Sequence, residues 1–281
     1  MYPILFHIGK FPVHTFGVVM VFAFAAAIGL AQVRAPRYGL TKNQVGDLAF
    51  WTLICGVLGA RIGFIIQELP YYLSHLSELF SIQFSGLTSF GGLIAGALAV
   101  VGWAKKHRIP LWHLLDLCAP AFVIGHAIGR IGCLMNGCCF GGVCPQNLSW
   151  GVHVEGSPLL HYPAQAYDTL MNLGVVGILL WRERAGMKLG QLTGLALTLH
   201  GMTRVVFEFW RAGTDEQVKA GIASSTYWGS LPFTQAQAMA AAIVLLGVVI
   251  LVACRRNKPI ELELPQSKDP GSSLKIEATP A

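Results

Sequence analysis

The sequence predicts an all-α fold: a polytopic membrane protein built as a bundle of seven transmembrane helices, N-terminus outside and C-terminus in the cytoplasm. Three observations predict it. Charged residues make up 12% of the chain and hydrophobic ones 54%, against roughly 25% charged in soluble domains, which is too few to cover a water-facing surface. The apolar residues gather in seven continuous runs, each near the ~20 residues that cross about 30 Å of hydrocarbon. Basic residues then alternate from one connection to the next.

The first run, 15–33, follows only Lys10 and precedes Arg34 and Arg37. That order reverses the charge pattern of a cleavable signal peptide, so the run reads as a retained helix that starts outside. Runs 46–66, 89–104, 113–133, 163–181, 189–209 and 235–254 follow, the 89–104 run being short. Continuous apolar runs, rather than alternating ones, favour helices over a closed β-barrel. One set of connections holds Arg34, Arg37 and Lys42; Lys105, Lys106 and Arg108; Arg182, Arg184 and Lys188; then Arg255, Arg256 and Lys258. Segments 67–88 and 134–162 contain neither Lys nor Arg. The positive-inside rule assigns the basic set to the cytoplasm. Residues 1–256 then form one transmembrane domain. Residues 257–281, polar and rich in Pro, Ser, Lys and Glu, read as a disordered cytoplasmic tail. Segments 134–162 and 210–234 are long connections on the outer side, and long loops often carry function. The net charge of +6 sits in these topological clusters, which points to anionic lipid and leaves no nucleic-acid patch.

Topology leaves four arginines unexplained. Arg61, Arg130 and Arg204 lie toward the outer ends of their runs, and Arg211 follows at the boundary. An arginine at the centre of a span costs about 2.5–3.5 kcal/mol on insertion scales. Snorkelling and a local ion pair with Glu208, four residues after Arg204 and three before Arg211, offer one account. An anion site offers another, since guanidinium groups bind phosphate in bidentate fashion. At that depth the available anion is a lipid headgroup.

Seven cysteines form no obvious disulfide framework. Cys55, Cys118 and Cys254 fall in apolar runs and read as packing residues. Cys133, Cys138, Cys139 and Cys144 cluster in sequence. A Cys138–Cys144 or Cys139–Cys144 bridge would staple the outer loop. Four thiolates would also suffice for zinc, although the spacing matches no familiar zinc module. A covalent thiol intermediate ranks last.

Residues 129–141 read Gly-Arg-Ile-Gly-Cys-Leu-Met-Asn-Gly-Cys-Cys-Phe-Gly. Here the chain resembles the prolipoprotein diacylglyceryl transferase family, whose signature runs Gly-Arg-x-Gly-Asn-x-x-Asn-x-Glu-x-x-Gly. Gly129, Arg130, Gly132, Asn136 and Gly141 match, while Cys133 and Cys138 stand where Asn and Glu are usual. The resemblance extends over almost the whole chain: Gly59-Ala60-Arg61-Ile62-Gly63, Ser89-Phe90-Gly91-Gly92-Leu93-Ile94, Pro163-Ala164-Gln165-Ala166-Tyr167-Asp168, Arg204 through Arg211 with Glu208 between them, and Gln237.

The resemblance implies transfer of diacylglycerol from phosphatidylglycerol to the lipobox cysteine of a prolipoprotein, with release of glycerol phosphate and without metal or organic cofactor. It also implies a multi-pass protein of the bacterial plasma membrane, the inner membrane in a Gram-negative cell. The partners are phosphatidylglycerol, prolipoprotein signal peptides and the bilayer. The chemistry suits the arginines, because fixed guanidinium groups stabilise charge developing on a departing phosphate.

Arg130 and Arg204 are the expected catalytic residues. Arg130, Arg61, Arg211, Asn136, Gln165 and Gln237 are expected to bind substrate. The amides have helix–helix bonding as their alternative. Gly91 and Gly92 serve either backbone approach to the headgroup or close helix packing. Glu208 is expected to orient the arginines. Where the family usually has a histidine before its Gly-Gly pair, this chain has Phe90, so that base is not carried over. His126 and His200, each four residues before a key arginine, share its helix face and are the candidate bases. Three other classes remain open: a divergent family member that binds lipid or modifies another acceptor, a transporter, and an intramembrane protease. The spans carry neither a repeat nor protease nucleophile motifs.

Overall fold

The computed structural model describes residues 3–9, 11–75 and 88–257. Residues 258–281 of the predicted tail and the middle of segment 67–88 therefore lie outside the described residues, as does Lys10. The chain is largely helical. After a hairpin of β1 (Ile4–Ile8) and β2 (Phe11–His14) come α1 (Thr15–Arg34), α2 (Lys42–Gln67), α3 (Leu69–Ser74), α4 (Ser89–His107) and α5 (Leu111–Asn136). A short antiparallel pair, β3 (Val152–His153) and β4 (Leu160–His161), precedes α6 (Ala164–Arg184) and α7 (Gln191–Glu208). Then β5 (Ala212–Gly213), α8 (Asp215–Lys219) and β6 (Ser225–Thr226), which pairs parallel with β5, lead into α9 (Gln235–Ala253).

Seven of these helices coincide with the predicted runs. Among the described residues, four segments, Thr15–Tyr38, Lys42–Gln67, Leu111–Asn136 and Gln235–Arg256, are long and apolar enough to cross a membrane. The chain is thus a multi-span membrane protein. Their exposed apolar side chains, among them Phe22, Leu58, Phe122 and Leu245, suit hydrocarbon rather than water. The two short helices and three strand pairs were not anticipated, because elements of two to six residues carry too little periodicity to read.

The helix ends move for identifiable reasons. The capping box of Thr41 and Gln44 starts α2 four residues before the predicted 46. The predicted 113–133 run extends to Asn136, where Gly137, at φ 75°, closes a Schellman turn with Cys138 N–H donating to Cys133 O (3.1 Å) and Gly137 N–H to Leu134 O (3.2 Å). The N-terminus of α7 is capped from another helix: the buried Asp116 carboxylate of α5 accepts from Gly190 N (2.6 Å), Thr193 N (2.8 Å) and Thr193 Oγ1 (2.5 Å).

Helix α5 is the hub, packed against α1, α4, α6 and α7. Pro120 within it lacks an N–H and so frees the carbonyl of Asp116. That carbonyl accepts instead from Arg34 Nη2 (2.9 Å), and Leu117 O accepts from Nη1 (2.7 Å). The same guanidinium pairs with Glu183 of α6 at 2.8 Å. Arg34, read as a topological charge, is therefore a buried clamp joining α1, α5 and α6.

Two pairs, α2 with α4 and α7 with α9, approach closely through glycine. A Cβ on Gly91 would run into the carbonyl oxygen of Gly59, and one on Gly92 would stand 3.2 Å from Gly56 O. This contact accounts for both glycines as packing residues and joins two of the motifs read separately in the sequence. We predict that Gly91→Leu lowers the thermal midpoint in detergent, with overpacking of about 1–3 kcal/mol. An unchanged midpoint would show that α2 and α4 have room to separate.

Candidate anion site at the ends of α5, α6 and α7

Three helix ends meet where the sequence left arginines unexplained. Arg130 comes from the last turns of α5 and Arg204 from the last turns of α7, with Arg211 just beyond it. The first turn and a half of α6 supplies Asp168, which is fully buried. Its Oδ2 stands 2.9 Å from Arg130 Nε, 3.1 Å from Arg204 Nη1 and 3.2 Å from His126 Nε2. Its Oδ1 accepts from Asn172 Nδ2 at 2.7 Å. One carboxylate thus gathers two guanidinium groups and an imidazole, which offsets much of the cost of burying each.

The arginines also share an aromatic surface. The Cζ atoms of Arg130, Arg204 and Arg211 lie 4.8, 4.5 and 5.3 Å from the centroid of the buried Phe207 ring. Its negative face favours nearby cations. Arg211 is paired with Glu208 at 3.6 Å, and Glu208 in turn accepts from Thr234 Oγ1 at 3.4 Å. Three guanidinium groups therefore meet two carboxylates, leaving one positive charge over when His126 is neutral. Among the described residues, Arg130 Nε and Nη2 and Arg211 Nε are buried without a hydrogen-bond partner, the first of them in ion-pair contact with Asp168. Buried donors with an uncompensated positive charge are what an anion requires.

The remaining predicted residues divide. Gln165 is buried and donates from Nε2 to Cys138 O (2.6 Å), which fixes the turn after α5, while its Oε1 has no hydrogen-bond partner among the described residues. Asn136 is exposed on the last turn of α5, one residue before that turn. Gln237 forms a capping box with Thr234 and reaches Val205 O at 3.5 Å, so it ties α9 to α7. Arg61 stands elsewhere, over the Tyr72 ring at 5.6 Å. Gly91 and Gly92 belong to the α2–α4 contact.

The two histidines are linked through the same network. His200 Nδ1 lies 2.7 Å from Asn172 Oδ1. That oxygen can only accept, so Nδ1 carries the proton. His126 Nε2 faces a carboxylate and likewise carries its proton there, leaving Nδ1 as its acceptor. The rings meet edge to face at 4.9 Å. Phe90, by contrast, is 56% exposed on α4 and offers no titratable group.

Loop backbone closes over the group. Gly141 N donates to Tyr162 O (2.9 Å), Gly142 N to Trp210 O (2.7 Å) and Val143 N to Ile222 O (2.7 Å). A Cβ on Gly141 would stand 2.7 Å from Trp210 O and 2.8 Å from Tyr162 Cβ, which explains that glycine of the signature. The bridges foreseen from Cys138 or Cys139 to Cys144 are not formed: all seven cysteines are free. Cys144 is held in the loop ladder by its N–H bond to Leu160 O (2.9 Å) and is buried against Gly151. Cys138 and Cys139 instead approach Cys133. A hydrogen bond from Cys133 brings the Cys139 thiol down to about 5, against burial that pushes it up.

Asp168 and Phe207 lay inside motifs read from the sequence but were given no role there, and Asn172 was not singled out. An acidic residue inside an apolar run was a signal for the first. Nothing marked the aromatic.

Against proteins of known identity, the profile of the prolipoprotein diacylglyceryl transferase family matches residues 3–253. A phosphatidylglycerol–prolipoprotein diacylglyceryl transferase of Pseudoalteromonas atlantica is 34% identical over 270 residues, covering 94% of each chain. One from Streptococcus pyogenes serotype M5 is 29% identical over 266 residues, covering 92% of this chain and 97% of its own. The matches run through every helix that builds the arginine cluster, and the chain belongs to the prolipoprotein diacylglyceryl transferase family.

Proposed function

We propose that this enzyme transfers the diacylglyceryl group of phosphatidylglycerol to the lipobox cysteine of a prolipoprotein and releases glycerol phosphate. The observation that carries the reading is the arginine cluster, in a member of this family, with buried donors that find no hydrogen-bond partner among the described residues, Arg130 Nη2 and Arg211 Nε. The acceptor thiolate attacks the glyceryl carbon that bears the phosphate ester. A C–S bond forms, the C–O bond breaks, and the electron pair leaves on the phosphate oxygen. The phosphate thereby gains a negative charge, which a fixed, positively charged cluster favours.

Arg130 and Arg204 contact the phosphate in this reading, Arg211 assists, and Glu208 holds Arg211. Gln165 and Asn136 border the headgroup at the turn after α5. Gln237, Arg61, Gly91 and Gly92 support the helices around it. His126 Nδ1 is the better placed acceptor for the thiol proton, because the other nitrogen of its ring faces the Asp168 carboxylate, whereas that of His200 faces the neutral amide of Asn172. Seven helices cross the bacterial plasma membrane, with the N-terminus outside and the tail in the cytoplasm, so that the cluster faces the outer leaflet. Absence of Lys and Arg from 134–162 supports that orientation.

Purified protein incubated with labelled phosphatidylglycerol and a lipobox peptide is expected to yield a thioether-linked diacylglyceryl peptide, identified by mass spectrometry. No product from correctly inserted protein would overturn the proposal. It would favour a different acceptor, the reading that Phe90, Cys133 and Cys138 motivate.

A further inference from the structure

Cys133, Cys138 and Cys139 have no part in the reaction as proposed, yet they are brought together by the chain's own geometry. The Schellman bond from Cys138 N–H to Cys133 O folds the residue after Gly137 back over the last turns of α5. Cys139 then adopts φ 64°, a left-handed conformation rare outside glycine. The three sulfurs lie within 4.8 Å of one another, with those of Cys138 and Cys139 3.6 Å apart. Sulfurs bound at about 2.3 Å to a shared ion stand about 4 Å apart, so a small closure suffices. Cys139 is exposed, which leaves an entry path. A covalent relay through these thiols is unattractive, because a diacylglyceryl group taken up as a thioether would have sulfur as a poor leaving group.

We propose that Cys133, Cys138 and Cys139 form a three-thiolate site for one copper(I) ion. Soft thiolates select soft cations. Among the described residues, the cluster contains no fourth His, Cys, Asp or Glu ligand. Structural zinc is almost always four-coordinate, so three sulfurs suit copper(I) better. Three thiolates around one monovalent ion make a doubly negative centre, and each thiol still protonated gives up its proton on binding. Arg130 Nη1 lies 4.0 Å from Cys133 Sγ. On the function proposed above, copper would therefore neutralise an arginine that the lipid phosphate needs, and the loaded enzyme would be inhibited.

The test uses purified full-length protein, fully reduced, with seven thiols titrated after denaturation. Copper(I) is offered anaerobically as its coloured bicinchoninate complex, without lipid or peptide. The wild type is expected to withdraw one equivalent, and X-ray absorption to show a shell of three sulfurs. C133S, C138S and C139S should each lose this uptake, while C144S retains it. Should a serine variant fail to fold, alkylation of the exposed Cys139 in the wild type serves the same purpose. No uptake by reduced wild type, uptake that survives these changes, or tighter retention of zinc(II) than copper(I) would overturn the site. Transfer activity is then compared with and without copper: a fall that chelation reverses supports the link to Arg130, and undiminished transfer by loaded protein overturns that link. Metal uptake is read without substrate, so failure of the site and failure of the transferase reading remain distinguishable.

Discussion

Replacing Arg130 with alanine is expected to lower diacylglyceryl transfer by about a hundredfold or more, the usual loss when a fixed donor to a developing anion is removed. Two features make Arg130 the most exposed to this test. Its Nε lies 2.9 Å from Asp168 Oδ2 as an ion pair, and among the described residues neither Nε nor Nη2 has a hydrogen-bond partner. It is therefore held by charge and keeps donors to offer. Arg204→Ala should act in the same direction, since Arg204 is tied to the same carboxylate oxygen at 3.1 Å. Neither change should unfold the protein. Asp168 keeps His126 and the other arginine in each single variant, and Phe207 stays buried. Arg130→Lys is expected to recover little, because an ammonium cannot hold Asp168 and a phosphate along two edges of one plane. The measurement is initial rate against phosphatidylglycerol concentration, with the thermal midpoint as control. Full activity in Arg130→Ala with an intact midpoint would remove the arginine from the mechanism.

The helical framework was legible because lipid imposes a length and forbids unpaired backbone, and both demands show in composition. The four arginines outside the basic connections were legible for the complementary reason: they break a charge pattern that the rest of the chain follows. What the sequence did not show is pairing. Arg34 follows the rule and so looked explained, yet it is buried against the carbonyl freed by Pro120 and against Glu183. Only tertiary structure brings those partners, 82 and 149 residues away, to one guanidinium. The cysteines were misread for a related reason. A shared place in the outer connection suggested pairing with Cys144, whereas the Schellman turn selects Cys133 and the loop ladder draws Cys144 aside. Gly91 and Gly92 were read as a motif without a partner. Gly59 and Gly63, on the other side of the same contact, were visible all along, but nothing linear connects them.

Asp168→Asn is expected to have the largest effect on stability at the site and to separate positioning from binding. Asparagine keeps the shape and one acceptor but removes the charge that Arg130, Arg204 and His126 share. Removing one partner of a buried ion pair costs about 3–5 kcal/mol, because the other is left uncompensated. Here two arginines would be left facing each other over Phe207. The thermal midpoint should fall accordingly. Two opposite effects then act on catalysis. Loss of a competing anion raises the local positive potential, which favours phosphate binding and holds KM level or lowers it. Loss of the common anchor frees both guanidinium groups, and misplacement of about 1 Å can cost on the order of a hundredfold in rate. The second effect is expected to win, so kcat should collapse while KM changes little. Asp168→Glu restores the charge at the expense of one extra methylene in a packed site, and should recover most of kcat. If Asp168 were only a fold-stabilising residue, kcat per folded molecule would survive in the asparagine variant, and the recovery by glutamate would be confined to the midpoint.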